Sequence, residues 1–327
     1  MNTLRMTALG GAVALSGAFA AAPVLADTYI VAVGAAGNSL QGRSAAKFAE
    51  DLQAALGDAH TVEFYADAQL GDEDELLQKL RLGTVHFTLI SSIMTNVAPE
   101  YALFDMPFLV RDRDHLRAID AEIVQTDLAP LAEETGLKVL STWENGFRQI
   151  TNNTRPITVP ADLEGLKIRT PSSEWRVAMF SEWGANPTPM SFSEVFVALE
   201  TGTMDGQENP LTNITGANFQ EVQDYLSLTG HVYSPTYLTT GLESWNGLPE
   251  DVRAAATEVA ASVQDWSLAE GEAADNELVE RVREAGMEVN EADKAAFIEA
   301  SAPIYAAFAE QVEGGGDLVS RAQALAE

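Results

Sequence analysis

The sequence predicts an α/β protein of two lobes, and three observations carry that reading. Short β-rich runs alternate with helix-period stretches, the pattern of α/β proteins with largely parallel sheets. The 327-residue chain is long enough for two lobes and a sizeable apolar core. From Pro249 to Ala285 the sequence is almost wholly helix-forming, with no internal proline and Gly271 as its one glycine before Gly286. At about 1.5 Å per residue such a helix runs roughly 50 Å, more than the width of one lobe. It is therefore expected to be a spine that bridges two.

Residues 1–26 read as a secretory signal rather than as part of the fold. Arg5 supplies a positive start and Thr7 to Ala22 a short apolar stretch rich in small residues. Val24-Leu25-Ala26 then offers small side chains before a cut, with Asp27 following. The stretch is too short and glycine-rich to suit a membrane anchor. Thr28 to Val33 is the first strand, followed by a glycine-bearing loop from Gly34 to Ser39. A helix comes next, with Ala46, Phe48, Ala49, Leu52 and Leu56 as its apolar stripe. Thr61 to Tyr65 is the second strand. Gly71-Asp72-Glu73 opens a helix with acids in its first turn, where the helix dipole favours them, and with Leu76, Leu77 and Leu80 on one face. Val85 to Ile90 reads as a buried strand ending in Ser91-Ser92. Leu137 to Trp143, Phe147 to Thr151 and Leu166 to Thr170 are further strands; Glu174 to Trp183 and Ser193 to Thr201 are helices. Beyond the spine, Glu291 to Val312 and Leu318 to Ala326 are helices separated by a Gly314-Gly315-Gly316 hinge.

The chain carries 49 acidic against 19 basic residues, a formal net charge of −30. Such a surface repels nucleic acid and anionic membranes, so neither is expected as a partner. With no cysteine, an exported chain has no disulfide framework, and packing alone must hold it.

Catalytic sets are missing. His60, His86, His115 and His231 stand singly, without metal-type spacing. There is no GxSxG elbow, no thiol, no phosphate loop with its lysine and no dinucleotide fingerprint. Asp72 to Glu75 lacks the alternation and turn glycine of a calcium loop, and reads as an acid-rich helix start. No cofactor or metal is implied.

Scarce arginines occupy unusual places. Arg148 lies in a strand and Arg169 ends one, just before Thr170-Pro171. Ligands collect at strand carboxyl ends in open α/β sheets, and a guanidinium there can grip a carboxylate through two parallel hydrogen bonds. The alternative for both is a surface ion pair. In Gly206-Gln207-Glu208-Asn209-Pro210, Asn209 is either an amide donor to a ligand or an ordinary turn residue.

Five motifs then succeed one another in order: Asn145-Gly-Phe-Arg148-Gln, Gly165-Leu-Lys-Ile-Arg169-Thr-Pro, Gly184-Ala-Asn-Pro-Thr-Pro-Met190, Phe192-Ser-Glu-Val and Asp205-Gly-Gln-Glu-Asn-Pro210. Together they resemble the DctP-type substrate-binding proteins of tripartite ATP-independent periplasmic (TRAP) transporters, from about Tyr29 into the long helix. The resemblance implies a two-lobed, Venus-flytrap fold with crossing strands and a spine helix, closing over an organic acid. Residues 27–146 with 235–273 would form one lobe, and 147–234 with 274–327 the other. It implies Arg169 as the main carboxylate clamp, Arg148 as a supporting cation, Asn209 bonding the same carboxylate and Phe192 packing beside it. Glu73, Ser91, Ser92 and Asn38 would face the remainder of the ligand. Ser91 stands where sialic-acid binders of the family carry a glutamate, which favours a smaller hydroxylated acid such as a uronate or aldonate. A four-carbon dicarboxylate served by Arg43 and Arg148, or a 2-oxo acid, is the alternative. The implied setting is the periplasm, as a monomer delivering to a TRAP permease. The rival class is an enzyme on sugar acids, pairing Glu73 with Glu144 or Glu208 as acid and base.

Overall fold

The computed structural model describes residues 27–326; the expected signal segment lies outside the described residues. The strands are β1 (Thr28–Ala32), β2 (Thr61–Tyr65), β3 (Phe87–Ile90), β4 (Leu137–Asn152) and β5 (Lys167–Thr170). They continue with β6 (Asn186–Pro189), β7 (Gly206–Pro210), β8 (Tyr225–Leu228), β9 (Tyr233–Gly241) and β10 (Glu288–Glu291). The α-helices are α1 (Leu40–Leu56), α2 (Glu73–Arg81), α3 (Arg113–Ile119), α4 (Ala129–Glu134), α5 (Glu174–Glu182) and α6 (Val195–Glu200). They are followed by α7 (Leu211–Gly216), α8 (Leu242–Gly247), α9 (Glu250–Glu284), α10 (Lys294–Ala300), α11 (Ala302–Gln311) and α12 (Gly315–Ala324).

The expected two-lobed α/β architecture is present, and its sheets are mixed rather than largely parallel. One sheet runs β2-β1-β3-β9-β4, with β1 parallel to both neighbours and β9 antiparallel to β3 and β4. The other is built on the second half of β4, which pairs antiparallel with β7 and β8; β5, β6 and β10 add parallel strands. β4 exchanges one set of partners for the other between Phe147, opposite Tyr233, and Arg148, opposite Pro210. β4 alone takes part in both sheets, and its neighbours β9, β7 and β8 all run antiparallel to it.

The two strands expected over Leu137–Trp143 and Phe147–Thr151 are one strand of 16 residues. Glu144-Asn145-Gly146 looks like a turn in sequence. In the fold it is an irregularity in the ladder, with the register shifting between Glu144 and Gly146 and Gly146 at φ 122. A bulge bends a strand without ending it. Gly206–Pro210, to which the sequence reading assigned no strand, is a fully buried strand, because its polar side chains find partners inside the protein. β6, β8, β9 and β10 lie where the sequence reading assigned no strand.

α9 is the spine, 35 residues long. It packs on α1, β4 and α7 through small residues, among them Ala256, Ala260, Ser267 and Gly271. Trp143 donates its indole N–H to the Ala260 carbonyl at 2.9 Å, and the Glu144 N–H donates to the Ser267 hydroxyl at 3.1 Å. A Cβ on Gly271 would stand 2.5 Å from Cγ of Glu144, and that carboxylate is held by Arg113 at 2.7 Å and cannot easily retreat. Gly271→Ala is therefore expected to cost about 1–3 kcal/mol by overpacking, read as a lower urea midpoint. An unchanged midpoint would show that this contact yields freely.

The single helix expected from Glu291 to Val312 is interrupted: β10 takes its start, and Ser301 separates α10 from α11, with Pro303 in the first turn of α11. A proline is tolerated there and disfavours continuation from the preceding turn. Gly315 and Gly316 form the first turn of α12 instead of a hinge.

Candidate functional site

A cavity of about 60 Å³ lies where the two sheets meet, bordered by Arg148, Arg169, Phe192 and Asn209 on one side and Glu73, Ser91 and Ser92 on the other. Hydrogen bonds close it at the rim. The Ser193 N–H and hydroxyl donate to Asp72 at 3.3 and 2.5 Å, and the Asn96 amide donates to the Ser172 carbonyl at 3.0 Å.

Arg169, at the end of β5, is 3% exposed. Its Nε and Nη2 both donate to the Met190 carbonyl, at 2.9 and 2.5 Å, and its guanidinium stands 6.0 Å from the Phe192 ring centroid. No carboxylate forms an ion pair with it among the described residues, so the surface ion-pair reading does not hold. Burial, with Arg148 nearby, lowers its pKa to about 10, and it stays charged at neutral pH.

Arg148 is also buried, but it is paired. Its Nε and Nη2 donate to the Glu208 carboxylate, and Nη2 also reaches the Glu208 carbonyl at 2.6 Å and Asn209 Oδ1 at 3.1 Å. Glu208 is the centre of a larger network. Arg176 Nη1 lies 2.8 Å from it and His231 Nε2 3.2 Å, while Arg176 Nη2 reaches Asp105 at 2.5 Å. Burial alone would raise the Glu208 pKa; Arg148 and Arg176 outweigh it and hold the carboxyl well below its ordinary range. Burial keeps the His231 pKa low despite Glu208. The sequence reading missed Asp105, Arg176 and His231 as supports of this site. The last was noted only as a solitary histidine, and no spacing ties it to Glu208.

Asn209, on β7, receives Arg148 on its Oδ1 and donates Nδ2 to Gln207 Oε1 at 2.6 Å. Across the cavity, Glu73 opens α2 and accepts the Ser91 N–H at 3.3 Å. Its carboxyl is enclosed, and burial, aided by Asp74 and Asp72 against the Ser91 bond and Arg169, raises its pKa to about 7. The folded protein therefore keeps a proton that the unfolded chain has released above about pH 4.5. Bound protons in excess favour folding at lower pH, so Glu73 should make ligand-free stability fall as pH rises from about 4.5 to about 7. Glu73→Gln should flatten that slope and raise the melting temperature above pH 7. Equal slopes for both proteins would overturn the assignment.

Two expected residues are placed differently. Asn38 is exposed and borders a separate groove with Arg43, Thr212, Glu270 and Arg281. Ser39 caps α1 by accepting the Gly42 N–H at 3.1 Å, and Gln41, not Asn38, faces the cavity. Arg43 pairs with Glu270 at 2.9 Å in that groove, so it does not serve a second carboxylate in the cavity. Gln41, Asn145 and Asn213 line the cavity and were not read as site residues from sequence. The proposed acid/base pair also dissolves. Glu144 is bound to Arg113 and Tyr233, Glu208 to its arginines, and neither borders the cavity with Glu73.

The chain matches the DctP family, described as bacterial extracellular solute-binding protein, family 7, over residues 31–311. It is 36% identical over 283 residues to the 2,3-diketo-L-gulonate-binding periplasmic protein YiaO of Escherichia coli (strain K12), covering 84% of this chain and 85% of that one. A TRAP periplasmic solute-binding protein from Polaromonas sp. JS666, bound to D-erythronate, superposes with a TM-score of 0.85 at 33% identity, covering 91% of this chain and 98% of the other. The sugar-acid-binding protein DctPAm of Advenella mimigardefordensis strain DPN7T, in complex with galactonate, gives 0.85 at 30% identity over 90% and 98%. Sequence and fold agree that this chain belongs to the DctP family of extracellular solute-binding proteins, which bind solutes for transporters rather than transform them.

Proposed function

We propose that the protein captures a small hydroxylated monocarboxylate, a sugar acid, between its lobes and delivers it to a TRAP membrane permease. The observation that carries this reading is Arg169, a buried guanidinium with no acidic partner among the described residues, facing a wall that holds Asp72, Glu73 and Asp74. One carboxylate satisfies the arginine, and a second would meet negative charge, which disfavours dicarboxylates. Arg148 and Asn209 support the clamp; Ser91, Ser92 and Glu73 meet hydroxyls.

The lobes are residues 27–146 with 235–273, and 147–234 with 274–327, rotating about β4 near Gly146. Export ends with cleavage after Ala26, and the protein works in the periplasm as a monomer with no nucleic-acid partner. No helix among the described residues is long and apolar enough to cross a membrane. A thermal-shift screen of organic acids tests the function: a ligand at a hundred times its Kd adds about 2.7 kcal/mol of stability. Sugar acids should shift the melting curve. A shift by succinate with none by sugar acids would replace this reading with a dicarboxylate binder. Mass measurement of the exported protein should place its first residue at Asp27.

A further inference from the structure

The amides on the cavity floor have their polarity dictated by their neighbours. Ser91 has one hydroxyl hydrogen, donated to the Pro235 carbonyl at 2.9 Å. Towards Asn145 it must accept, and Asn145 Nδ2 donates to it at 3.0 Å. That orientation turns Asn145 Oδ1 to Asn213, whose Nδ2 donates at 3.1 Å. From the other side Arg148 can only donate, so Asn209 Oδ1 is an acceptor. Asn213 Nδ2 donates to that oxygen as well, at 3.3 Å. Two independent neighbours thus require the same orientation of Asn213.

The consequence is an unfilled acceptor. Asn213 Oδ1 is buried and receives no hydrogen bond from the described residues, while Asn213, 4% exposed, borders the cavity beside Asn209. A flip of the amide would satisfy this atom only by setting an N–H₂ against nothing and an oxygen against two oxygens. A buried acceptor left empty is costly, so a ligand that brings a donor gains and one that brings an acceptor is rejected.

We infer that Asn213 is a specificity-determining residue that accepts a hydrogen bond from the hydroxyl next to the ligand carboxylate, so that the ligand is an open-chain 2-hydroxy acid of the aldonate class. This rests on the carboxylate-binding reading above, because Arg148 and Arg169 must hold the carboxylate for the adjacent carbon to lie over Asn213. Among aldonates, pyranose uronates and 2-oxo acids, the aldonates alone supply the donor. In a pyranose uronate the oxygen on the carbon next to the carboxylate is the ring oxygen, which has no hydrogen. A 2-oxo acid offers a carbonyl there, acceptor against acceptor.

Calorimetry on the whole mature protein decides it, with four- and six-carbon aldonates, their 2-deoxy and 2-oxo counterparts, and D-glucuronate as probes. The best aldonate should bind about tenfold or more tighter than its 2-deoxy and 2-oxo counterparts and than glucuronate. Asn213→Leu should bring the aldonate down to the 2-deoxy level while 2-deoxy binding persists. If the unaltered protein binds the 2-deoxy acid as tightly as the 2-hydroxy acid, or prefers glucuronate, the inference is wrong and the carboxylate clamp survives. If no carboxylate binds, both readings fall. The comparison on the unaltered protein stands even where the Asn213→Leu protein does not fold.

Discussion

Arg169→Ala is expected to abolish measurable binding of any organic acid while leaving the ligand-free protein as stable as the parent, or more so. The guanidinium is 3% exposed, and the protein meets it with the Met190 carbonyl and the Phe192 ring, not with a carboxylate. Its charge is poorly compensated until a ligand arrives, so removing it relieves a desolvation cost in the empty protein. In the loaded protein the loss is large. The ligand carboxylate would be buried against Glu73 and Asp72 with Arg148 already engaged by Glu208. Stranding one member of a buried ion pair costs about 3–5 kcal/mol, or roughly two to four decades in Kd. Arg169→Lys should recover only part, because a point charge cannot make two parallel bonds to a carboxylate. Titration calorimetry and thermal melts read the two effects separately. Binding by Arg169→Ala as tight as the parent's would remove the clamp assignment.

Glu208→Gln should have the largest effect on the fold itself. Arg148, Arg176 and His231 all converge on this carboxylate, each of them buried, and among the described residues Asp105 is the one other acid bound to the group. Glutamine keeps the shape and removes the charge, leaving two arginines with one counter-ion. A loss of about 3–5 kcal/mol is expected, seen as a lower urea midpoint at neutral pH. The pH dependence carries the sign. The Glu208 carboxyl is held well below its ordinary range in the folded state, so its stabilisation is complete above the unfolded pKa. It is lost as pH falls through the folded value. The variant should therefore lose part of the parent's acid-induced unfolding slope below about pH 4. Equal midpoints at neutral pH would mean that the arginines find other compensation. Because Arg148 also holds Asn209, binding should weaken together with stability.

Much of the site could be read from residue order because its chemistry is concentrated in few residues. Arg148 and Arg169 stand out in a chain of −30 net charge, and a strand end is where a ligand-facing arginine belongs. Asn38 was misjudged because a glycine-bearing loop gives no local cue to which side chain faces inward. The Ser39 cap decides that, by starting α1 so that Gln41 turns to the cavity. Asn145 and Asn213 were invisible for a related reason: their roles depend on Ser91 and Arg148, far away in sequence.

The sequence by itself determined the α/β alternation, the spine helix and the arginines at the cleft, because period, capping and charge act over a few neighbouring residues. Only the tertiary structure decided that β4 runs unbroken past Asn145-Gly146 and that Gly206–Pro210 is a buried strand. It alone also decided that Arg148 is neutralised by Glu208 while Arg169 is not. Burying polar residues in a strand is favourable only when distant parts of the chain supply their partners. Those partners, Arg176 and His231 for Glu208 and Asn213 for Asn145, meet only once the sheets have assembled.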